Sequence, residues 1–481
     1  MSRHAFFIQG VPVLAAWLLS ACTLGPAGEP QTINLPDHYG LETLDLERQI
    51  EGIDAQRFSL GDMVLSSWWA SFNSPVLNGW VEEALANNAD LSSASANLQA
   101  AQRQVSAQAR QARLPSVDLG GQAARQRDLG LPLPNMPNTS LYNTFVGQAQ
   151  IRYDFDLFGS RRSQAQASAQ RLQAQHQQFQ AARQSVVANL INATVRIAAI
   201  NQQIEIVMSL LKDEQAQLAD VQQQLSLGAS SRLALSDTQQ RLHVLRAKLA
   251  PLHAELHSTR HAQAILMGRN PSEAPEAIPF EMLALPQELP LLVPSALLRH
   301  RPDIRAAEAD LRAAAAEISV ATGNMFPSIS ISASMGQAGY DWSTALSGAG
   351  AIWSLVGGVT QPIFHAGALR AERLAAIDRY EAAQFAYKQT VLGAFAEVAD
   401  VLVQTQADAQ ALGEHEAALS AADDYHSMVK ERVRLGALPR REQWMSAQQW
   451  RQRQLDAVAA RAQRFSDSVR FYKAMGIPIQ P

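Results

Sequence analysis

The stretch VVANLINATVRIAAI, residues 186–200, decides the fold. Val186, Ala193 and Ile200 share one position of a seven-residue repeat, and Leu190 and Ile197 share another. Further along, the first series continues through Val207 and Val221, and the second through Ile204, Leu211, Leu218 and Leu225. Glu214 alone breaks the pattern. A seven-residue repeat kept up this long specifies a helix that packs in a left-handed coiled coil. Between Gly159 and Gly268 the only glycine is Gly228 and the only proline is Pro251. Residues 160–226 therefore read as one helix, on the order of 100 Å long at 1.5 Å per residue. Its remaining surface is Gln, Ala and Ser, polar without dense charge.

The pattern around this helix occurs twice. Leu91, Leu98 and Val105 match Ile304, Leu311 and Ile318 at a displacement of 213 positions; Pro115 matches Pro327 at 212, Gly228 matches Gly436 at 208 and Phe158 matches Phe364 at 206. Such self-similarity marks a duplicated architecture. Each half reads helix, strand, loop, strand, long helix, tip, helix. The first helix of each half starts near Asp90 and after Pro302-Asp303, where Pro suits the first turn and Asp the positive end of the helix dipole. Each ends at Leu114-Pro115 or Phe326-Pro327. The second long helix, Ala368–Leu435, has a weaker heptad in Val391, Phe395, Val398, Leu402 and Leu412. Both long helices finish at a Leu-Gly-Ala turn, 227–229 and 435–437, where Gly can adopt the left-handed conformation.

After Asn143 the period changes to two. Phe145, Gly147, Ala149, Ile151, Tyr153, Phe155 and Leu157 fall on one face; Val146, Gln148, Gln150, Arg152, Asp154 and Asp156 fall on the other. In the second half Ile329, Ile331, Ala333 and Met335 alternate with Ser328, Ser330, Ser332 and Ser334, and shorter β-like runs occupy Val117–Arg125 and Ile352–Phe364. Strands of about ten residues, apolar on one face and polar on the other, suit an outer-membrane barrel. A soluble antiparallel sheet gives the same alternation, and the long helices favour the barrel. Four strands cannot close on themselves, because closed barrels begin near eight. Open edges in lipid would strand backbone groups at several kcal/mol each, so several copies must pool their strands.

Residues 1–21 read as a secretory signal, with an apolar core from Ala5 to Leu19 too short and interrupted to span a bilayer. It ends in Leu19-Ser20-Ala21-Cys22, which resembles a lipobox, and Cys22 is the only cysteine. A single thiol excludes disulfides and four-cysteine metal sites. Charged residues are 17% of the chain and the net charge is −4, so no basic stripe for nucleic acid is expected. No phosphate-binding Gly loop and no Ser-His-Asp or Cys-His arrangement with its motif context occurs, and an enzyme is not expected.

Several runs together resemble one family over nearly the whole chain: the lipidated start Leu19–Pro26, Trp68-Trp69 with Phe72 and Pro75, Ala84-Leu85 before Asn88-Asp90-Leu91, Tyr153–Gly159, and above all Arg301-Pro302-Asp303-Ile304-Arg305-Ala306-Ala307-Glu308 followed by Phe326-Pro327. The chain resembles the TolC/NodT-like outer-membrane efflux proteins (outer membrane factors), lipoprotein branch. The resemblance implies a mixed α/β membrane protein, mainly α. It would be a homotrimer with a 12-stranded outer-membrane β-barrel, four strands per protomer, and a long coiled-coil α-helical barrel in the periplasm. It also implies Cys22 carrying N-palmitoyl and S-diacylglycerol groups, outer-membrane lipid as a partner, and no cofactor besides that lipid. A periplasmic membrane-fusion adaptor and an inner-membrane transporter would dock at a closed tip, and drugs, metal ions, peptides or other solutes would pass through. On this basis 1–21 is the signal peptide, 22–75 the lipid anchor and equatorial segment, 76–270 the first repeat, 271–295 the linker, 296–476 the second repeat and 477–481 the tail. The equatorial girdle is expected from 30–75, 271–295 and the C-terminus.

The tip after Gly436 is the leading candidate site. The family often carries an acidic residue there that constricts the pore; aligning Ala447-Gln448 puts Ser446 at that position. Arg440, Arg441 or Glu442 would then form charged rings, since such rings set selectivity, or they are a solvated helix start. His253, His257 and His261 lie on one helical face, a spacing that suits a transition metal but more often a packing or solvated face. Asp154 and Asp156 read as neighbours on a strand's polar face, and Trp68 and Trp69 as anchors of the equatorial segment. Two other classes compete: a lipid-anchored periplasmic coiled-coil adaptor without a pore, and a secreted hydrolase on a helical scaffold. The two hairpin-like halves, each with its own strand pair, favour the channel.

Overall fold

Prolines and glycines bound most of the elements. The computed structural model describes residues 26, 28–29, 56–60, 67–129, 139–292 and 294–479; the signal segment, Cys22 and most of the expected anchor lie outside the described residues. The chain divides into two compact units, one built from Leu98–Gln175 and Ala307–Tyr387, the other mainly from His176–Ala306 and Lys388–Pro481 with the segment leading to Asn97. Each unit thus takes a segment from both repeats.

The first unit holds a four-stranded antiparallel sheet. Strands β2 (Ser116–Leu129), β3 (Thr139–Phe155), β5 (Ser328–Gly339) and β6 (Ala351–Thr360) lie in the order β2-β3-β5-β6. Helices α2 (Ala89–Arg113) and α6 (Pro302–Gly323) lead into β2 and β5; α2 stops where Pro115 removes the next backbone donor, whereas α6 stops at Gly323 and a turn closed by Phe326 N–H on Gly323 O (3.1 Å) precedes Pro327. Several ends differ from the sequence reading: β2 runs on to Leu129, past Arg125, and two other strand ends have a visible cause. Strand β6 stops at Thr360, not Phe364, because Pro362 cannot donate to a ladder; the Gln361 side chain instead donates to the carbonyls of Met325 (3.2 Å) and Pro362 (2.9 Å). Strand β3 stops at Phe155. Asp156 accepts from the backbone N–H groups of Arg161 (3.1 Å) and Arg162 (2.8 Å). It therefore caps the helix start rather than sharing a strand face with Asp154, which pairs with Arg161.

The second unit is helical around a small parallel strand pair. The long helix α3 (Ser160–Ser226), α4 (Arg232–Leu266), α8 (Ala368–Arg434) and α9 (Arg440–Ala474) supply most of it. Leu190, Ile197 and Ile200 on α3 are buried, as are Val391, Val398 and Leu402 on α8, so both heptads face the interior. Glu214, the heptad exception, is also buried and accepts from Arg241 Nε on α4 at 2.9 Å. A charge at that seam persists because it is paired, since an unpaired buried charge costs far more. Just beside it, Leu210 and Leu211 pack with Leu242 and Leu245. Helix α4 continues through Pro251.

In that pair, β1 (Arg57–Leu60) runs parallel to β4 (Glu288–Leu291), ahead of the short helix α5 (Pro294–His300). Trp68 and Trp69 are buried, and Trp68 stacks on Tyr472 of α9 with centroids 4.9 Å apart, a packing role.

The duplication extends to single hydrogen bonds. Gly228 and Gly436 both have φ of 73°, and Ala229 N–H reaches Gln224 O at 2.7 Å while Ala437 N–H reaches Arg432 O at 2.8 Å. At the other end of each half, Asn88 Nδ2 donates to Leu266 O (2.9 Å) and Arg301 Nη1 donates to Ala474 O (2.8 Å). These carbonyls belong to last-turn residues and lack helical partners. Helix α1 (Pro75–Asn87) ends directly before Asn88, and Gly268, at φ of 75°, approaches its last residue so closely that a Cβ would collide with the Asn87 carbonyl.

Gly268→Ala and Gly228→Ala separate strain from collision. Both place Ala at positive φ, which costs about 1–3 kcal/mol, but a Cβ at Gly228 meets nothing within 4 Å. Thermal unfolding of the full chain is expected to show the larger drop in midpoint for Gly268→Ala. Equal drops would refute the close approach.

Candidate functional site

The strand registers run without a bulge, so parity assigns every side chain of the sheet to a face. Val117 stands opposite Ile151, Ile151 opposite Ala333 and Ala333 opposite Leu355; one level on, Leu119, Ala149, Met335 and Trp353 form the next row. Tyr153, Ile331, Phe155, Ile329 and Val359 continue the same face in the other direction. At these levels the face is apolar across all four strands and open to its surroundings, with Leu119 88% and Trp353 80% exposed. A soluble monomer rarely exposes so large a contiguous apolar surface. The opposite face carries Asp118, Gln148, Gln150, Arg152, Asp154 and the serines 328, 330, 332 and 334. Ser334 and Ser354 share a hydrogen bond across it at 2.8 Å. Among the described residues β2 and β6 are the free edges of the sheet.

The tip candidates fall in two environments. Arg440 opens α9 and forms an ion pair with Asp220 of α3 at 3.7 Å, exposed enough to contribute at most about 1 kcal/mol. Arg441 is exposed and Glu442 half-exposed. One turn on, Ser446 is buried: its hydroxyl donates to Gln443 O (2.9 Å) and lies 2.8 Å from His426 Nδ1 on α8. His426 stacks on Trp450 at 5.4 Å, and the Arg451 guanidinium lies 4.3 Å from that ring's centroid. Burial, then the nearby Lys430 and Arg451 charges, holds the His426 pKa below the usual imidazole range. The structure thus brings Arg440, Arg441 and Glu442 together on the first turn of α9 and gives Ser446 to the contact between α8 and α9.

His253, His257 and His261 line one exposed stripe of α4, with the last two rings 6.5 Å apart. Among the described residues no group of three or more His, Cys, Asp or Glu side chains could hold a metal ion. No described helix is long and apolar enough to cross a membrane.

A carboxylate pair escaped the sequence reading. Asp467 on α9 is 1% exposed and accepts from Gln463 Nε2 at 3.0 Å; Asp408 on α8 faces it. Burial, reinforced by the Asp408 carboxyl, pushes the Asp467 pKa up to about 7. The neighbouring Arg464 only partly opposes this, because its guanidinium donates to Thr405 O (2.8 Å) and to the Gln56 side chain. Nothing in the local sequence around either aspartate signals the pairing.

A family model described as outer membrane efflux protein matches residues 80–269 and 293–477. The chain is 30% identical over 347 residues to the pyoverdine export outer membrane protein OpmQ of Pseudomonas putida, covering 70% of this chain and 72% of that one. It is 30% identical over 409 residues to outer membrane protein OprJ of Pseudomonas aeruginosa, covering 84% and 81%. With cation efflux system protein CusC of Escherichia coli it shares 27% identity over 401 residues, 82% of this chain and 83% of that one. Among solved structures, the outer-membrane channel OprN superposes with a TM-score of 0.81 at 26% identity over 96% of this chain and 100% of that chain.

The carboxylate pair makes stability depend on pH. A raised native pKa means that folding binds a proton, so the contribution of Asp467 is complete below the ordinary carboxylate range and is lost as pH rises through about 7. The unfolding midpoint is expected to fall between about pH 5 and about pH 8, with a shallower fall in Asp467→Asn. Identical slopes would refute the assignment.

Proposed function

The chain belongs to the outer membrane efflux protein family, and from that premise we propose that three copies form a lipid-anchored exit duct through the outer membrane. The observation that carries this reading is the sheet with one face apolar over a continuous band, from Phe155 to Phe145 on β3, and with two free edges. In hydrocarbon each unpaired edge group costs several kcal/mol, so β2 of one copy pairs with β6 of the next until the ring closes. Four strands from each of three copies give about twelve, within the range of known barrels. From Phe155 to Phe145 the apolar face spans eleven residues of β3; ten steps at about 3.4 Å each and a tilt near 45° give about 24 Å of height, close to the ~25 Å apolar band of such barrels. The polar face then lines an aqueous lumen, and the heptad helices form a ring of coiled coils in the periplasm.

The working cycle proposed here is the one the family implies. The duct is passive and carries out no reaction; a periplasmic adaptor and an inner-membrane transporter supply cargo and energy at the tip. Three copies of Arg440, Arg441 and Glu442 ring the opening there, with Ser446 behind them, and relaxation of that ring admits solute. Cys22 carries the N-palmitoyl and S-diacylglycerol chains that hold the N-terminus to the inner leaflet of the outer membrane. The relatives named for export of pyoverdine and of cations support efflux as the activity.

Two variants test the faces. Leu119→Arg puts a charge on the lipid face and is expected to cost about 2–4 kcal/mol near the midplane, lowering the yield of heat-modifiable oligomer in membranes. Ser332→Arg, on the lumen face, is expected to leave assembly intact; equal yields for the two would overturn the assignment of faces. At the tip, Arg441→Gln or Glu442→Gln is expected to change single-channel conductance in planar bilayers. Unchanged conductance and closure in both variants would remove these residues from the gate.

A further inference from the structure

The apolar face of β2 ends abruptly. Val117 and Leu119 are followed on the same parity by Gly121 and Ala123, and then by Arg125 and Arg127, which stand opposite Asn143 and Leu141. Both guanidinium side chains are exposed, and among the described residues no carboxylate pairs with either. Two residues apart on one face of a strand, they are about 7 Å apart. Aromatic side chains mark the level just below them: Phe145 opposite Ala123, with Trp342 of the short helix α7 (Trp342–Ala345) lying against it at 4.2 Å, and Trp353 further down.

We propose that Arg125 and Arg127 form a binding site for the phosphate groups of an anionic lipid in the outer leaflet. The inference rests on the barrel reading above and adds a ligand to it. Strand β2 runs away from helix α2, so in that reading its later residues lie at the outer surface. An arginine within the hydrocarbon is costly, whereas one just beyond it, above an aromatic belt, sits at headgroup depth. Nearby phosphates are matched by the planar guanidinium fork, which accommodates two oxygens at once. With no protein carboxylate bonded to either guanidinium among the described residues, the lipid supplies the counter-charge. The opposite, lumen face of the same levels carries Gln126 hydrogen-bonded to Tyr142, so the cationic pair belongs to the lipid side alone.

The test uses the full lipidated protein in nanodiscs containing either bis-phosphorylated lipid A or its dephosphorylated form, read by native mass spectrometry. The parent is expected to retain the phosphorylated lipid, and Arg125→Gln/Arg127→Gln to retain about tenfold less, given the attraction of each cation for an anionic surface. Arg125→Lys/Arg127→Lys restores part of the retention, and Arg246→Gln/Arg305→Gln leaves it unchanged. Equal retention by the parent and the glutamine variant, or equal retention of both lipid forms by the parent, would overturn the site while leaving the barrel standing. A spectrum showing only monomers would overturn the barrel and the site together.

Discussion

The whole structure depends on backbone hydrogen bonds that one chain cannot complete. A four-stranded sheet leaves two rows of N–H and C=O groups, on β2 and β6, with no partner of their own. In water those edges would be a mild liability. Against lipid, where the proposed duct places the apolar face, they are prohibitive. In the proposed duct, oligomerisation therefore follows from the membrane location.

The helical unit solves a related problem by another route. A helix satisfies its own backbone, so its demands fall on its ends and its apolar stripe. The stripe is met by the heptad on α3, whose buried exception, Glu214, is held by Arg241. The ends are met by repeated devices: the left-handed glycines 228 and 436, and the reach of Asn88 and Arg301 to the closing turns of α4 and α9. Arg301 also pairs with Asp303 and Glu397. This gives the Arg-Pro-Asp run a physical meaning: one buried guanidinium ties the start of α6 to α8 and to the last turn of α9.

Much of this was legible in the sequence because it is periodic or local. The run free of glycine and proline between Gly159 and Gly228 located α3 to the residue, its heptad gave the buried stripe, the alternation after Asn143 gave the correct parity to β3, and the Leu-Gly-Ala turns marked both tips. The strand ends were less legible, although Pro362 carried the signal that β6 must stop. Asp156 looked like a strand residue because parity continues past Phe155; only the approach of two helix N–H groups shows it to be a cap. Contacts between residues far apart in the chain left no trace. Asp408 with Asp467, Arg464 with Gln56, and His426 with Ser446 each join residues that no periodicity relates.

The central claim is that copies of this chain share one closed sheet. The most direct measurement is the mass of the detergent-extracted particle by light scattering, corrected for bound detergent and lipid. The account predicts three copies per particle, stable on dilution. A particle of a single chain, folded and stable in the same detergent, would contradict it.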